Sequence, residues 1–574
     1  MPWVALPVVW ATEHRWVPLA ALIAALAAAV ALSTVDRPIR AGDAARRGRH
    51  RVRPSRIAPA ALRAGPAALT VIALVAGIGV ATITRSGAAF AATTASTSNS
   101  WGAATISPPT GLAAGITCGN GGVPSADLTW TPSVTGAVTG YQLTRDAGAP
   151  VGITPRTASS YIDGGLPNNA SHTWNLAALA AGWSSAPATV SATANCPPVA
   201  QAWGSNQYQQ LGDGTTTDRD VPANVSLPAG VTITAVAGGS NFSLALTSSG
   251  KVYAWGYNAE GEFGNGITSV PGGPVLVNIP GGVTVTAIAA GGSHGLALTS
   301  TGAVYAWGMN TSGQLGDNTT TNQTSPVQVK GVGGTGTLAN IKAIAAGGSH
   351  SLALSNTGTV YAWGSNTYGQ LGDNTTTNRL VPVQVKGVGG SGTLTSITAI
   401  SAGTSHSLAA NGSGAAYAWG LNSSSQLGDT TTTQQNAPVR VRAVSGTGNL
   451  TGIKSVAAGE THSLAVTTTG LMYAWGYNSK GELGDGTTTS TVRPVKVSLP
   501  VGVTVSAADA GTELSVALTS SGQALAWGWN NSGQLGDSST TNRTAPVTVS
   551  LPAGTTATAV AAGRAHSLSV TVAS

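Results

Sequence analysis

Over the last two-thirds of the chain, apolar residues fall in short runs separated by stretches of Gly, Ser, Thr and Asn. One of these runs ends in Ala-Trp-Gly seven times, at Trp203, Trp255, Trp307, Trp363, Trp419, Trp475 and Trp527. Successive Trp are 52 or 56 residues apart, and a Pro follows each after 19 residues. A fixed period of this kind marks stacked copies of one supersecondary unit. Each copy predicts four strands, as in Ala287–Ala290, Gly295–Leu298, Val304–Trp307 and Pro326–Val329. Turn sequences rich in Gly, Asn, Asp and Thr separate them. Four antiparallel strands repeated seven times predict a seven-bladed β-propeller. The first strand of a copy is built from Ala and Gly because blades crowd together toward their common axis. The Trp, with Tyr253, Tyr305, Tyr361, Tyr417 and Tyr473 two residues before it, supplies the large apolar area between blades.

The ends of the repeat region complement each other. It opens at Gln201-Ala-Trp-Gly204, a third strand with no first or second before it, and the chain stops at Ser574 just before another third strand is due. Residues 200–226 are therefore expected to complete the blade begun by 556–574, so that no incomplete sheet edge is left exposed.

The first 91 residues follow a different pattern. Two apolar stretches, about 16–35 and 67–84, lack a polar face, and each is close to the length of a membrane-spanning helix. Nine Arg lie between them, from Arg37 to Arg63. Short Arg-rich loops stay cytoplasmic, which directs everything after residue 85 outward. Ala89-Phe90-Ala91 also fits a signal-cleavage pattern. A cleaved signal and a retained anchor both remain open. Residues 92–106 read as a flexible Ser/Thr/Ala tether.

Residues 107–197 carry short alternating runs with turn residues between them, the pattern of a small β-sandwich. The stretches PTGL (109–112), DLTWTP (127–132), GYQLTRD (140–146), SYIDGGLPNN (160–169) and SSAPATVSATA (184–194) resemble a fibronectin type III domain. His172 stands where that family usually has the Tyr of its corner motif. Cys118 and Cys196, the only cysteines, bracket the segment. In an exported protein they favour a disulfide tying the domain's ends together. Two free buried thiols are the alternative.

Charge changes the choice of partners. The net charge is +7, but residues 1–91 hold 11 of the 27 basic residues and 3 of the 20 acidic ones, so the remainder has a net of −1. The positive charge belongs to the membrane-targeting end, and a nucleic-acid partner is not expected.

The motifs AGGSHSLALS (346–355), VYAWGSNTYGQLGDNTTT (360–377) and VPVQV (381–385) resemble the regulator of chromosome condensation repeat family, over residues 200–574. The resemblance implies a seven-bladed propeller. The family's eukaryotic founder is a nucleotide exchange factor for a small GTPase and docks on nucleosomes, so an exchange-factor-like regulator is the alternative function it implies.

Candidate chemistry is sparse. His294, His350, His406, His462 and His566 recur at the start of the second strand, with Asn241 and Leu514 in the other copies. One His per copy is too dispersed for a metal site, and these side chains are expected to satisfy backbone groups at the Gly-Gly-Ser turn. Asp213, Asp317, Asp373, Asp429, Asp485 and Asp537 recur in Leu-Gly-Asp and read as Asx-turns. No nucleotide-binding loop, nucleophile elbow, paired catalytic carboxylates or zinc-protease motif is present. Neither catalysis nor a cofactor is expected. The copies differ most after Trp-Gly. Tyr257, Met309, Leu421, Tyr477 and Trp529 occupy the next position, and Tyr208 and Tyr368 lie three residues further on in copies where that position is Ser. Drifting loops on a repeated scaffold carry binding, and these residue types are enriched in interface cores. These seven are the candidate recognition residues, for a protein or glycan met outside the cytoplasm.

Overall fold

The computed structural model describes residues 88–91 and 102–574. Both apolar segments, the Arg-rich loop and most of the expected tether lie outside the described residues. Among the described residues no helix is long and apolar enough to cross a membrane. Ala88–Ala91 pairs antiparallel with Gly102–Thr105, so the end of the segment read as a tether is a paired strand.

Residues 107–197 form two facing sheets. One contains Thr110–Cys118, Pro124–Thr131 and Ser160–Asp163 in that order. The other runs Ala188–Ala194, Ala170–Ala180, Gly140–Arg145 and Val151–Ile153, with Trp183–Ser184 added at the end of its longest strand. Alternate residues along Pro124–Thr131 and Ala170–Ala180 point inward. They bury Leu128, Trp130, Trp174 and Leu176 against Tyr141. The Tyr141 hydroxyl donates to Arg156 O at 2.8 Å and accepts from Ser133 N–H at 3.0 Å. His172 pairs instead with Asp146, at 2.6 Å from Nδ1 to Oδ2. That hydrogen bond, with one from Thr173 N–H, holds the Asp146 carboxyl below its ordinary range. Cys118 and Cys196 lie at bonding distance, with Cα atoms 5.7 Å apart.

The repeats form seven four-stranded antiparallel sheets. Six are local in sequence and are called first to sixth here. They span Ile233–Leu276, Val285–Gln328, Ile341–Gln384, Ile397–Arg440, Ile453–Lys496 and Val505–Thr548. The closing sheet combines both ends of the region, in the order Arg219–Asn224, Val199–Gly204, His566–Ala573, Thr555–Ala562. Val199–Gly204 pairs with His566–Ala573 in the register Val199 to Thr571 through Gly204 to His566. This is a β-propeller.

Neighbouring sheets are joined by one repeated device. In the third sheet the Trp363 Nε1–H donates to Gln314 O in the turn of the second sheet, at 2.9 Å. The same carbonyl accepts from the Ser351 hydroxyl at 2.8 Å. Ser351 in turn accepts from His294 Nε2–H of the second sheet at 2.9 Å. His350, His406, His462 and His566 reach Ser407, Ser463, Ser515 and Ser243 of the following sheet in the same way. The last of these links the closing sheet to the first.

The bond corrects two expectations. The His partner is a hydroxyl of the adjacent sheet, not backbone at its own turn. The residue in the His position of the first sheet is Phe242, not Asn241, since Phe242 pairs with Gly256 as His294 pairs with Gly308. Phe242 cannot donate, and the position it faces in the second sheet is Gly295 where the other sheets have Ser. The Ser hydroxyl already donates to a carbonyl, so the His must supply the proton from Nε2. Nδ1 then has no partner.

Two further devices complete the scaffold. First strands meet around the axis so closely that glycine is required at their ends. A Cβ on Gly347 would collide with Gly403 O of the next sheet. At the outer turn, the fully buried Asn366 donates from Nδ2 to Asp373 Oδ1 and to Thr375 O and Thr377 O, and accepts from Leu371 N–H. Asp373 Oδ1 also accepts from Thr375 N–H and its hydroxyl, which is the Asx-turn geometry. Arg379 pairs with its other oxygen.

The sandwich meets the closing sheet through the turn Asn120–Gly122. Gln201, fully buried, donates to Asn120 Oδ1 and Asn224 Oδ1, each at 3.0 Å, and Gly121 N–H donates to the same Asn224 oxygen. Gln201 occupies the place of the repeat Tyr. An amide is needed there because this sheet faces a polar turn.

Candidate functional site

The residue after each Trp-Gly leaves the third strand at the end where the Gly-Gly-Ser loop enters the second. Its N–H donates to that loop in every sheet. Tyr257 bonds Asn241 O, Met309 bonds Ser293 O, Leu421 bonds Ser405 O, Tyr477 bonds Thr461 O and Trp529 bonds Glu513 O, all at 2.8–3.0 Å. Ser205 and Ser365 make the equivalent bonds to Ala565 O and Ser349 O. All seven variable positions therefore share one face of the propeller, beside the axial opening. Tyr368 is 40% exposed, and Tyr208, Tyr257, Met309, Leu421, Tyr477 and Trp529 are half-buried.

The axial opening is a cavity of about 420 Å³. Its lining is mostly small, from Gly239, Gly291, Gly347, Gly403, Gly459, Gly511 and Gly563, with Tyr368, Glu460 and Arg564 among the larger side chains. A second cavity of about 340 Å³ lies on the same face between the fifth and sixth sheets. Tyr477, Trp529, Glu460, Glu513 and Arg564 line it, with Ser424, Thr461 and Thr512. Tyr477 and Trp529 are thus brought together. Tyr208 and Tyr257 also meet, edge to face, with centroids 5.4 Å apart. Met309 and Leu421 line neither cavity.

Sequence reasoning missed Glu460, Glu513 and Arg564. The signal was available, because the Gly-Gly-Ser loop varies in these copies as much as the Trp-Gly turn does. It was masked by the regular Gly around it.

Burial governs the electrostatics. His350 and His406 are pushed down to about 3, and His294, His462 and His566 to about 4. All five are fully buried and neutral. Glu262 and Glu482 stand where other turns have Gln, and burial pushes Glu262 up to about 7 and raises Glu482. Asp509, on the first strand of the sixth sheet, is pushed up to about 6 by burial. It accepts from Ala562 N–H of the closing sheet at 2.9 Å. That bond bridges the one junction where Leu514 replaces His. Among the described residues no group of three or more His, Cys, Asp or Glu is placed to hold a metal ion.

The comparisons with known proteins agree with this architecture. Residues 199–569 match the RCC1-like domain. The ultraviolet-B receptor UVR8 of Arabidopsis thaliana is 33% identical over 346 residues, covering 60% of this chain and 76% of the receptor. The human E3 ubiquitin-protein ligase HERC2 is 32% identical over 377 residues, 64% of this chain but only 8% of that protein. Among solved structures, Prp20p of Saccharomyces cerevisiae aligns with a TM-score of 0.56 at 25% identity, covering 66% of this chain and 92% of that one. Human WBSCR16 gives 0.56 at 23% identity, covering 66% and 99%. Over its repeat region, the chain belongs to the family of RCC1-like domains.

Proposed function

We propose that this protein is a non-enzymatic binding module, a seven-bladed propeller that engages a protein partner through the face bearing Tyr208, Tyr257, Met309, Tyr368, Leu421, Tyr477 and Trp529. The observation that carries the reading is the division of labour within each repeat. Apart from Trp203, whose Nε1–H has no partner, the Trp, His, Ser and turn Asn are consumed by bonds within and between sheets. The residues that vary are pinned by their backbone at one face, with their side chains left to differ. A relative supports a protein ligand: the solved structure of Prp20p was described with its binding to Gsp1p and histones. In this reading the module works outside the cytoplasm, anchored or secreted, and the apolar segments with the Arg-rich loop between them support that. The 107–197 segment is a fibronectin type III-like spacer held by the Cys118–Cys196 pair, and residues 200–226 with 556–574 close the ring.

Two measurements test this. Protease added to intact cells is expected to digest the repeats; complete protection would favour the cytoplasmic exchange-factor alternative. Full-length protein in which Tyr257, Tyr477 and Trp529 are all replaced by Ser is expected to lose the partner that the unaltered protein captures, while its melting profile shows a folded propeller. Unchanged capture would reject the loop face.

A further inference from the structure

The cavity between the fifth and sixth sheets differs from the rest of the loop face. Two aromatic side chains, Tyr477 and Trp529, come from equivalent turns of adjacent sheets to line it. Two carboxylates, Glu460 and Glu513, come from equivalent loops of the same two sheets. Among the described residues neither carboxylate has an ion-pair partner, and Arg564 at the same cavity has none either. Behind this wall lies Glu482, fully buried, with Oε1 lacking a hydrogen-bond partner. Glu513 is close enough to raise the Glu482 pKa further, against a smaller opposing effect of Lys480.

We propose that this cavity receives a Lys or Arg side chain presented by a partner protein, so that the loop face recognises a basic peptide segment. The proposal rests on the reading of that face as the binding surface and names its partner's chemistry. Aromatic faces attract a cation placed within about 6 Å of the ring centroid. A carboxylate beside them makes the hydrogen bond charge-assisted. A neutral ligand would cover Glu460 and Glu513 and leave both charges in place, so it offsets less of their desolvation than a cation does. An anionic one would be repelled by both carboxylates, which outnumber the single cation at this cavity, Arg564. The cavity shares Glu460, Thr512 and Arg564 with the axial opening. A segment anchored by its cation can therefore continue toward the axis, where the Arg564 guanidinium donates to its carbonyl or carboxylate oxygens.

The test is titration calorimetry of the full chain at low salt with three capped tripeptides, of Arg, Gln and Glu. Saturable one-site binding is expected for the Arg peptide alone. Glu513→Gln and Trp529→Leu are each expected to weaken it by about tenfold. Val134→Ser, at an exposed position of the sandwich away from the loop face, is expected to leave it unchanged. Melting temperatures establish that each variant is folded. The proposal is overturned by absence of saturable binding, by either cavity variant binding the Arg peptide as tightly as the unaltered protein does, or by saturable binding of maltohexaose in place of the Arg peptide. If the Arg peptide fails while the triple Ser variant still loses a captured partner, only this proposal falls and the loop face stands.

Discussion

Replacing Trp363 by Ala is expected to lower the unfolding free energy by about 3–5 kcal/mol, the range for a large buried aromatic. The indole is fully buried in a cluster with Leu296, Leu298, Leu315 and Val329 of the second sheet. It lies against Gly316, where a Cβ would be 2.8 Å from Nε1. The truncation leaves a void between sheets that rigid backbone on both sides cannot fill. Trp363→Phe separates the terms. It keeps most of the apolar area and removes the bond to Gln314 O, which is expected to cost about 1 kcal/mol beyond the area lost. Trp203 provides the control, because its Nε1–H has no partner. Trp203→Phe should therefore cost less than Trp363→Phe by about that amount. Urea unfolding of the variants followed by circular dichroism makes the comparison. Equal losses at the two sites would show that the repeated bond contributes nothing net.

The second large effect is acid lability. Five buried His sit at about 3 or 4 in the folded protein, against 6.5 when free. The folded state thus binds fewer protons than the unfolded chain through this window. Stability from these groups is complete above about pH 6.5 and is lost as the pH falls toward 4. Three carboxyls, the fully buried Glu262 and Glu482 and the half-buried Asp509, act in the opposite sense. Glu262 and Asp509 rise to about 7 and about 6, and Glu482 also rises. Each stabilises the folded state at low pH and loses that contribution as the pH climbs through its folded value. Near pH 5 the five His favour unfolding and outnumber the three carboxyls that oppose it, so stability falls as the pH is lowered. Melting temperatures measured from pH 7.5 to 4.5 should fall steadily below about pH 6.5. Glu262→Gln removes one opposing carboxyl, so it should raise the melting temperature at pH 7.5 and steepen the acid fall. A flat profile down to pH 4.5 would refute buried neutral His as the links between sheets.

Much of this architecture was legible because its causes are local. A Trp-Gly recurring with a Pro 19 residues later needs no tertiary information to be recognised as a repeat. The Leu-Gly-Asp turn could likewise be read as an Asx-turn, since Asp373 and Thr375 are only two residues apart. The His was harder. Its partner lies 57 residues away in His294–Ser351, and nothing local to His294 distinguishes a backbone acceptor from a hydroxyl on the next sheet. The Asn241 assignment failed for a related reason. A shift by one residue in a glycine-rich loop is invisible in the sequence, but in a strand it reverses which face a side chain occupies. The candidate recognition face was only half legible. Tyr477 and Trp529 stood out as variable residues, while Glu460 and Glu513 did not.

Period, strand number per copy and the complementary ends of the repeat region follow from the chain alone, because each rests on composition at fixed spacing. Which residues join one sheet to the next, and which gather at a cavity, was decided only when the sheets packed radially. Packing brings equivalent positions of successive copies side by side, about 50 residues apart in the chain for a period of this class. At that separation hydrogen bonds and charges depend on sheet-to-sheet distance and on burial, and neither quantity is written in the order of residues.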